Sequence, residues 1–463
     1  MLSPSRSLMT ETPDPITETT LLQRALSGLG IDRAIGWTAA ARIWSVLAGP
    51  ISVILIASRL SPEEQGYYYT FASIVSFQVM FELGLGLVVL QFASHEKAFL
   101  AWQADGTLGG SEIEKGRLAA LLRKSLQWYA VATGLTAVSL LIGGTIFFAF
   151  KPTTVTGWQA PWIVVAILAG GTLFLTPFLS MLEGCGLVAE VARVRTWQVI
   201  ASNLAGWTIL LLGGRLWASA AISGMSLLIG SAWVLLTHRR FFSDLLRTPS
   251  NGMSWKEEVW PFQWRIAASW ISSYFIFHLF IPVLFASRGP VAAGRMGMSL
   301  ALASAVYIVS NSLLTTKVPL FGELIARRDF AELDRRFLPA MWRSLGVMVF
   351  GAIVAFGGML VLRASGHRWS ERLLDPLPFA LLLLTMIANT IFFAETVYLR
   401  AHKQEPLLGV FIASAVAVST CTFFLGHAYG ATGMMLGYFL STLFVSLGGG
   451  TWVFRRKRRE WHA

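Results

Sequence analysis

The stretch GWTAAARIWSVLAGPISVILIASRLSPEEQGYYYTF, residues 36–71, decides the fold class. From Ile35 to Ala57 the chain is long and apolar enough to cross a bilayer, which takes about 20 such residues. Arg42 stands well inside that run, where a guanidinium costs about 3 kcal/mol or more. A charge at that depth needs a partner, a wet surrounding or a ligand, and the rest of the sequence bears on which.

The 463 residues are 55% hydrophobic and 13% charged, with a mean hydropathy of +0.61, which marks an all-α polytopic membrane protein. Apolar runs predict about twelve spans, near 34–58, 67–91, 125–150, 161–182, 197–213, 217–237, 259–286, 292–317, 339–362, 376–399, 406–426 and 430–454. The longer connection 238–258 divides them into a first lobe, 34–237, and a second, 259–454. A tail of residues 1–33 and a basic tail of 455–463 flank the lobes. The first tail has no early apolar core or cleavage site of a secretory signal, and TLLQRALSGLGIDR (20–33) is expected to form a short amphipathic surface helix.

The formal charge of +12 raises the question of nucleic acid, and placement answers it. HRRFFSDLLR, ARRDFAELDRRF and RRKRREWH lie in alternate loops, as positive-inside anchors do. No nucleic-acid partner is expected, and both termini are placed in the cytosol. Tryptophans such as Trp158, Trp162, Trp255, Trp260, Trp342, Trp369 and Trp452 fall near span ends and read as an interfacial belt. Cys185 and Cys421 support neither a disulfide framework nor a metal site. No cofactor or catalytic residue is expected: GxxxxGK[ST] and HExxH are absent, and SHEKAF reads as a solvated segment.

An internal offset of 229 places ASRL (57–60) on ASRG (286–289) and Glu82 on Asn311. Pro50 and Pro282 lie within three residues of the same offset, which predicts a kinked hinge late in the first span of each half. Arg42 lies about 12 Å and Glu82 about 15 Å from the same membrane face, so neighbouring helices would bring them together. They are either a buried ion pair or part of a water-filled cavity lined by spans 1, 2, 7 and 8. Arg265 and Asn311 form a similar polar layer in the second half, although Arg265 is close enough to the interface to snorkel. His278 reads as a packing residue and Glu395 as interfacial, with Arg400 just beyond. Arg59 and Arg288, at matched outer mouths, are interface anchors or an outer anion site.

SRLSPEEQGYYYTFASIVS (58–76), ELGLG (82–86) and NSLLTTKVPLFGELIARRDFAELDRRF (311–337), with Pro319 ending a span, resemble the lipid-linked polysaccharide flippases. These O-antigen and exopolysaccharide transporters belong to the MATE-like (MOP) superfamily. The resemblance covers residues 33–454 and implies a V-shaped pair of six-helix lobes that flips an isoprenoid-pyrophosphate-linked oligosaccharide across a bacterial cytoplasmic membrane by alternating access. It also implies membrane lipids and glycan polymerases or glycosyltransferases as partners, and cavity arginines for the pyrophosphate, with Arg42 and Arg265 as the matching positions. The first-span acid of drug-exporting relatives has no counterpart here. The alternatives are a drug/cation antiporter, a peptidoglycan-precursor flippase (which typically has two more spans), a non-transporting scaffold of a glycan-synthesis complex, and a membrane glycosyltransferase, for which the loops offer no acidic set.

Overall fold

The computed structural model describes residues 33–150, 155–250, 253–402 and 404–462. The expected surface helix at 20–33 thus lies outside the described residues apart from Arg33, where the first span begins. Among the described residues the regular structure is helical except for one short hairpin, β1 (Leu100–Trp102) paired with β2 (Leu108–Gly110).

Span 1 is Arg33–Arg59. Span 2 starts as Pro62–Val75 and resumes after a break as Leu85–Lys97. Span 3 is Glu112–Val138, carried on through a π-helical turn to Ala149. Spans 4, 5 and 6 are Gln159–Gly184, Val188–Leu211 and Trp217–Thr237. Span 7 is Trp260–Phe277 followed by Phe280–Arg288, and span 8 is Pro290–Thr315. Span 9 is Phe330–Ala364 and span 10 is Pro376–Ala401. Spans 11 and 12 share the helix Leu408–Ser441, which Gly430 divides with φ 61° and ψ −143°, and the chain continues through π-helical Thr442–Gly449 into Gly450–His462. Among the described residues eight helices are long and apolar enough to cross a membrane, and two bent pairs bring the number to ten. Val188–Leu211 carries Glu190, Arg193 and Arg195 near its start, which lowers its hydropathy, and Gly430 splits Leu408–Ser441. Together these give about twelve spans, in two lobes.

Loops cluster at two ends, as alternating spans require. At the basic end, Arg117 pairs with Glu96 at 3.0 Å and Glu258 at 2.6 Å, and the Trp102 indole donates to the Cys185 carbonyl. Glu96 is therefore a buried ion-pair partner, not the solvated residue that SHEKAF suggested. At the opposite end, Arg215 pairs with Glu64 at 3.2 Å, Arg372 donates to the Leu60 carbonyl at 2.7 Å, and Arg288 donates to the carbonyls of His427 and Ala428. Arg288 thereby satisfies the last carbonyls of span 11, where the helix breaks at Gly430.

The lobes meet closely at this opposite end. Ser61 opens Pro62–Val75 with a capping box: its side chain accepts from the Glu64 amide, and Glu64 accepts from the Ser61 amide. With Pro62 at the first helical position, the SPEE sequence fixes this helix start. One residue further, the Gln65 side chain donates to the Gly294 carbonyl at 2.8 Å. A Cβ on Gly66 would lie 2.0 Å from the Pro290 carbonyl oxygen, so only glycine permits this approach.

Two spans are broken, and they are not equivalents under the offset. Span 2 bends by 48° after Glu82, where Leu83 and Gly84 both adopt left-handed backbone. Span 7 bends by 41° at His278 and Leu279. Pro282 explains the second bend, because its ring excludes the carbonyl four residues back and it lacks an amide to bond that carbonyl. The freed His278 carbonyl accepts instead from the Ser73 hydroxyl of span 2. Pro50, by contrast, lies inside one uninterrupted helix, so of the two prolines only Pro282 stands beside a break in its span.

Trp158 and Trp162 also differ from the belt expectation. Trp162 is fully buried and packs against Phe71 and Phe148 in the aromatic core between spans 2, 3 and 4. Trp342 and Trp452 are exposed on the helical surface, as belt residues are.

Candidate functional site

A cavity of about 1200 Å³ opens at the basic end. One wall is the second half of span 2, with Leu87 and Gln91, and the rest comes from spans 7, 8, 10, 11 and 12. Span 1 contributes nothing to it, so the expected lining by spans 1, 2, 7 and 8 is corrected to one dominated by the second lobe. The lining mixes aromatic faces such as Phe262, Trp270 and Phe411 with the polar groups of Ser269, Ser273, Asn389 and Thr396. Its inner end lies where Asn389 donates to the Tyr438 hydroxyl at 3.0 Å and Phe280 packs on the same ring.

The charged residues on the cavity wall are Arg265, Arg400 and Glu405. Arg400 and Glu405 pair at 3.0 Å and offset one another. Arg265, exposed beside the Trp264 ring at 5.7 Å, has no ion-pair partner among the described residues. The wall thus carries one guanidinium without an ion-pair partner among the described residues, about one and a half helical turns in from the start of span 7, among aromatic and hydroxyl groups.

The other sequence candidates are placed elsewhere. Arg42 donates to the Thr315 hydroxyl at 2.6 Å, joining span 1 to the end of span 8. Glu82 is engaged inside the first lobe, where its carboxylate accepts from the Tyr129 hydroxyl at 3.1 Å and from the Gly86 backbone amide. It therefore caps the second half of span 2, a helix N-terminus that favours negative charge. The pairing of Arg42 with Glu82 is corrected accordingly: the break at Leu83 and Gly84 requires a cap, and Glu82 supplies it. Asn311 is buried beside Tyr307, one turn earlier on span 8, and does not line the cavity. Arg59 is exposed at the opposite end, and Arg288 caps span 11 as described. Glu395, read as interfacial, is 5% exposed and accepts from Thr451 of the last helix at 2.7 Å.

Sequence reasoning missed Arg372 and Gln65. Arg372 donates to both Leu60 and Gln65, and burial pulls its guanidinium below the usual arginine range. The available signal was the offset itself, since Gln65 and Gly294 are 229 residues apart.

The fold is shared with solved transporters. A multidrug resistance MATE family transporter of the MOP superfamily, in an inward-facing conformation, aligns over 90% of this chain and 98% of its own, at TM-score 0.54 and 12% identity. The lipid II flippase MurJ, in an inward closed conformation, aligns over 90% of this chain and 86% of its own, at TM-score 0.59 and 13% identity. The eukaryotic MATE transporter AtDTX14 aligns over 95% and 98%, at TM-score 0.56 and 12% identity. At these identities the likeness is one of fold. No family model and no curated protein matches the chain.

Proposed function

We propose that this protein is a transporter that moves an isoprenoid-pyrophosphate-linked oligosaccharide across the bacterial cytoplasmic membrane by alternating access. The carrying observation is the 1200 Å³ cavity, open at the basic end and holding an uncompensated Arg265. The excess of Lys and Arg at that end favours a cytosolic orientation, with both termini inside. The cavity then faces the side on which a lipid-linked substrate would be loaded, while the Gln65–Gly294 seam closes the other side. A guanidinium binds phosphate oxygens bidentately, and aromatic faces suit sugar rings.

The sign of the cavity also separates this reading from a cation antiporter, for which an unpaired carboxylate on the wall is the natural requirement. The only wall carboxylate among the described residues, Glu405, is already paired. A non-transporting scaffold has no need of the cavity at all.

The test uses liposomes containing the full chain and a fluorescent isoprenoid-pyrophosphate trisaccharide, with the outer-leaflet fraction read by a membrane-impermeant quencher. The wild-type chain moves the label, and Arg265→Ala slows it roughly tenfold or more, the scale of a lost charge-assisted contact. Movement of ethidium but not of the trisaccharide lipid would replace this reading with the antiporter.

A further inference from the structure

The last helix, Gly450–His462, presents two unlike faces. One is fastened to the second lobe: Phe454 packs on Tyr398 and Phe337, Arg458 pairs with Asp334, and Trp461 stacks on His402 with ring centroids 4.3 Å apart. The helix is therefore a fixed continuation of span 12. The other face, with Trp452, Arg455, Arg456 and Arg459, borders an open groove of about 770 Å³ that runs along the same helical stretch past Leu443 and Leu447.

The charges on that rim are unequally used. Arg456 and Lys457 both pair with Glu460, which also borders the groove, at 2.8 and 2.6 Å. Arg455 and Arg459 have no ion-pair partner among the described residues, although Arg455 feels the buried Glu395 carboxylate. Four residues apart, they project from the same side of the helix. Trp452 is 63% exposed one turn earlier, with the Arg456 guanidinium 5.7 Å from its ring. An apolar surface, an interfacial tryptophan and two guanidiniums outside any ion pair among the described residues follow one another along a few turns, in the order in which an acyl chain, a headgroup boundary and a phosphate are met on leaving a bilayer.

We infer that this groove binds one anionic phospholipid, its acyl chain against Leu443 and Leu447 and its phosphate between Arg455 and Arg459. A general positive-inside anchor needs only charge near the membrane. This site needs those two arginines on a helix held in place by Arg458 and Trp461, and the difference can be measured.

Full-length protein in neutral detergent is titrated with phosphatidylglycerol or phosphatidylcholine and examined by native mass spectrometry. One phosphatidylglycerol adduct is expected, with phosphatidylcholine at least tenfold weaker and inorganic phosphate unable to displace the lipid. Arg455→Gln with Arg459→Gln should weaken the adduct about 30-fold, at about fivefold per surface arginine. Arg335→Gln with Arg336→Gln removes the same charge from span 9 and should leave binding unchanged. Should the Gln pair fail to fold, Arg455→Lys with Arg459→Lys keeps the charge and should still weaken the adduct severalfold. Equal binding by the Gln pair, equal retention of phosphatidylcholine, displacement by phosphate, an equal loss in the span 9 control, or wild-type binding by the Lys pair each overturns the assignment.

Discussion

Gln65 donates its side-chain amide to the carbonyl of Gly294, 229 positions further along, the same offset that the sequence comparison suggested. The bond joins the start of span 2 to the start of span 8 and so ties the two lobes together at the end opposite the cavity mouth. Arg372 reinforces it by donating to Gln65 and to the Leu60 carbonyl.

Gly66 tests that seam. A methyl group there meets the Pro290 carbonyl oxygen at 2.0 Å, and backbone cannot yield as a side chain can. Gly66→Ala should hold the lobes apart at this end. Spin labels at Glu63→Cys and Ala292→Cys, in a chain lacking native cysteines, should report a longer distance in the Ala variant. An unchanged distance with normal transport would remove the seam from any gating role.

Arg42 is coupled to Thr315 and not to Glu82. A double-mutant cycle of Arg42→Leu with Thr315→Val should show an interaction of about 1.5–3 kcal/mol, the scale of a hydrogen bond to a charged group. The cycle of Arg42→Leu with Glu82→Leu should be additive within about 0.5 kcal/mol. Stability is read by denaturant titration of the purified variants, and a large coupling between positions 42 and 82 would restore the ion pair.

Pro282 and Pro50 should behave differently. Pro282→Ala returns an amide that competes with Ser73 for the His278 carbonyl, so the bend of span 7 should relax and transport should change at normal protein abundance. Pro50→Ala lies within an uninterrupted helix and should have the smaller effect on transport. Equal effects of the two variants on transport would refute the distinction.

Cys185 supplies a pH prediction outside the spans. Burial pushes its thiol up to about 12, with Lys97 opposing, so at pH 8 the folded protein should resist maleimide while the unfolded chain reacts. The folded value lies above the unfolded one of about 8.5, so the associated stability is present below that pH and is lost as pH rises toward the folded value. In a Cys421→Ala background, rapid labelling at pH 8 without unfolding would contradict the burial.

Much of the fold was legible because apolar length and the distribution of Lys and Arg are one-dimensional signals. Axial position is a one-dimensional quantity as well, since the rise of about 1.5 Å per residue converts sequence distance into depth. What the sequence did not carry was azimuth. Which neighbour a side chain faces depends on helix rotation, and the left-handed pair Leu83 and Gly84 resets that rotation directly after Glu82. The glycines of ELGLG hinted at the break, yet Leu83 is not a residue from which positive φ is foreseen. Arg265 reached the cavity because span 7 faces it over several turns, from Phe262 to Phe277.

The bond from Ser73 to the His278 carbonyl has a consequence for any movement of the lobes. Under the proposed transport cycle, any separation of spans 2 and 7 at this level would leave a carbonyl without a donor inside the membrane, at a cost of several kcal/mol. A water molecule arriving in the same event removes that cost. Reorientation is then a wetting step as well as a rotation, and its rate should fall when osmolytes lower the activity of water, even at constant membrane potential.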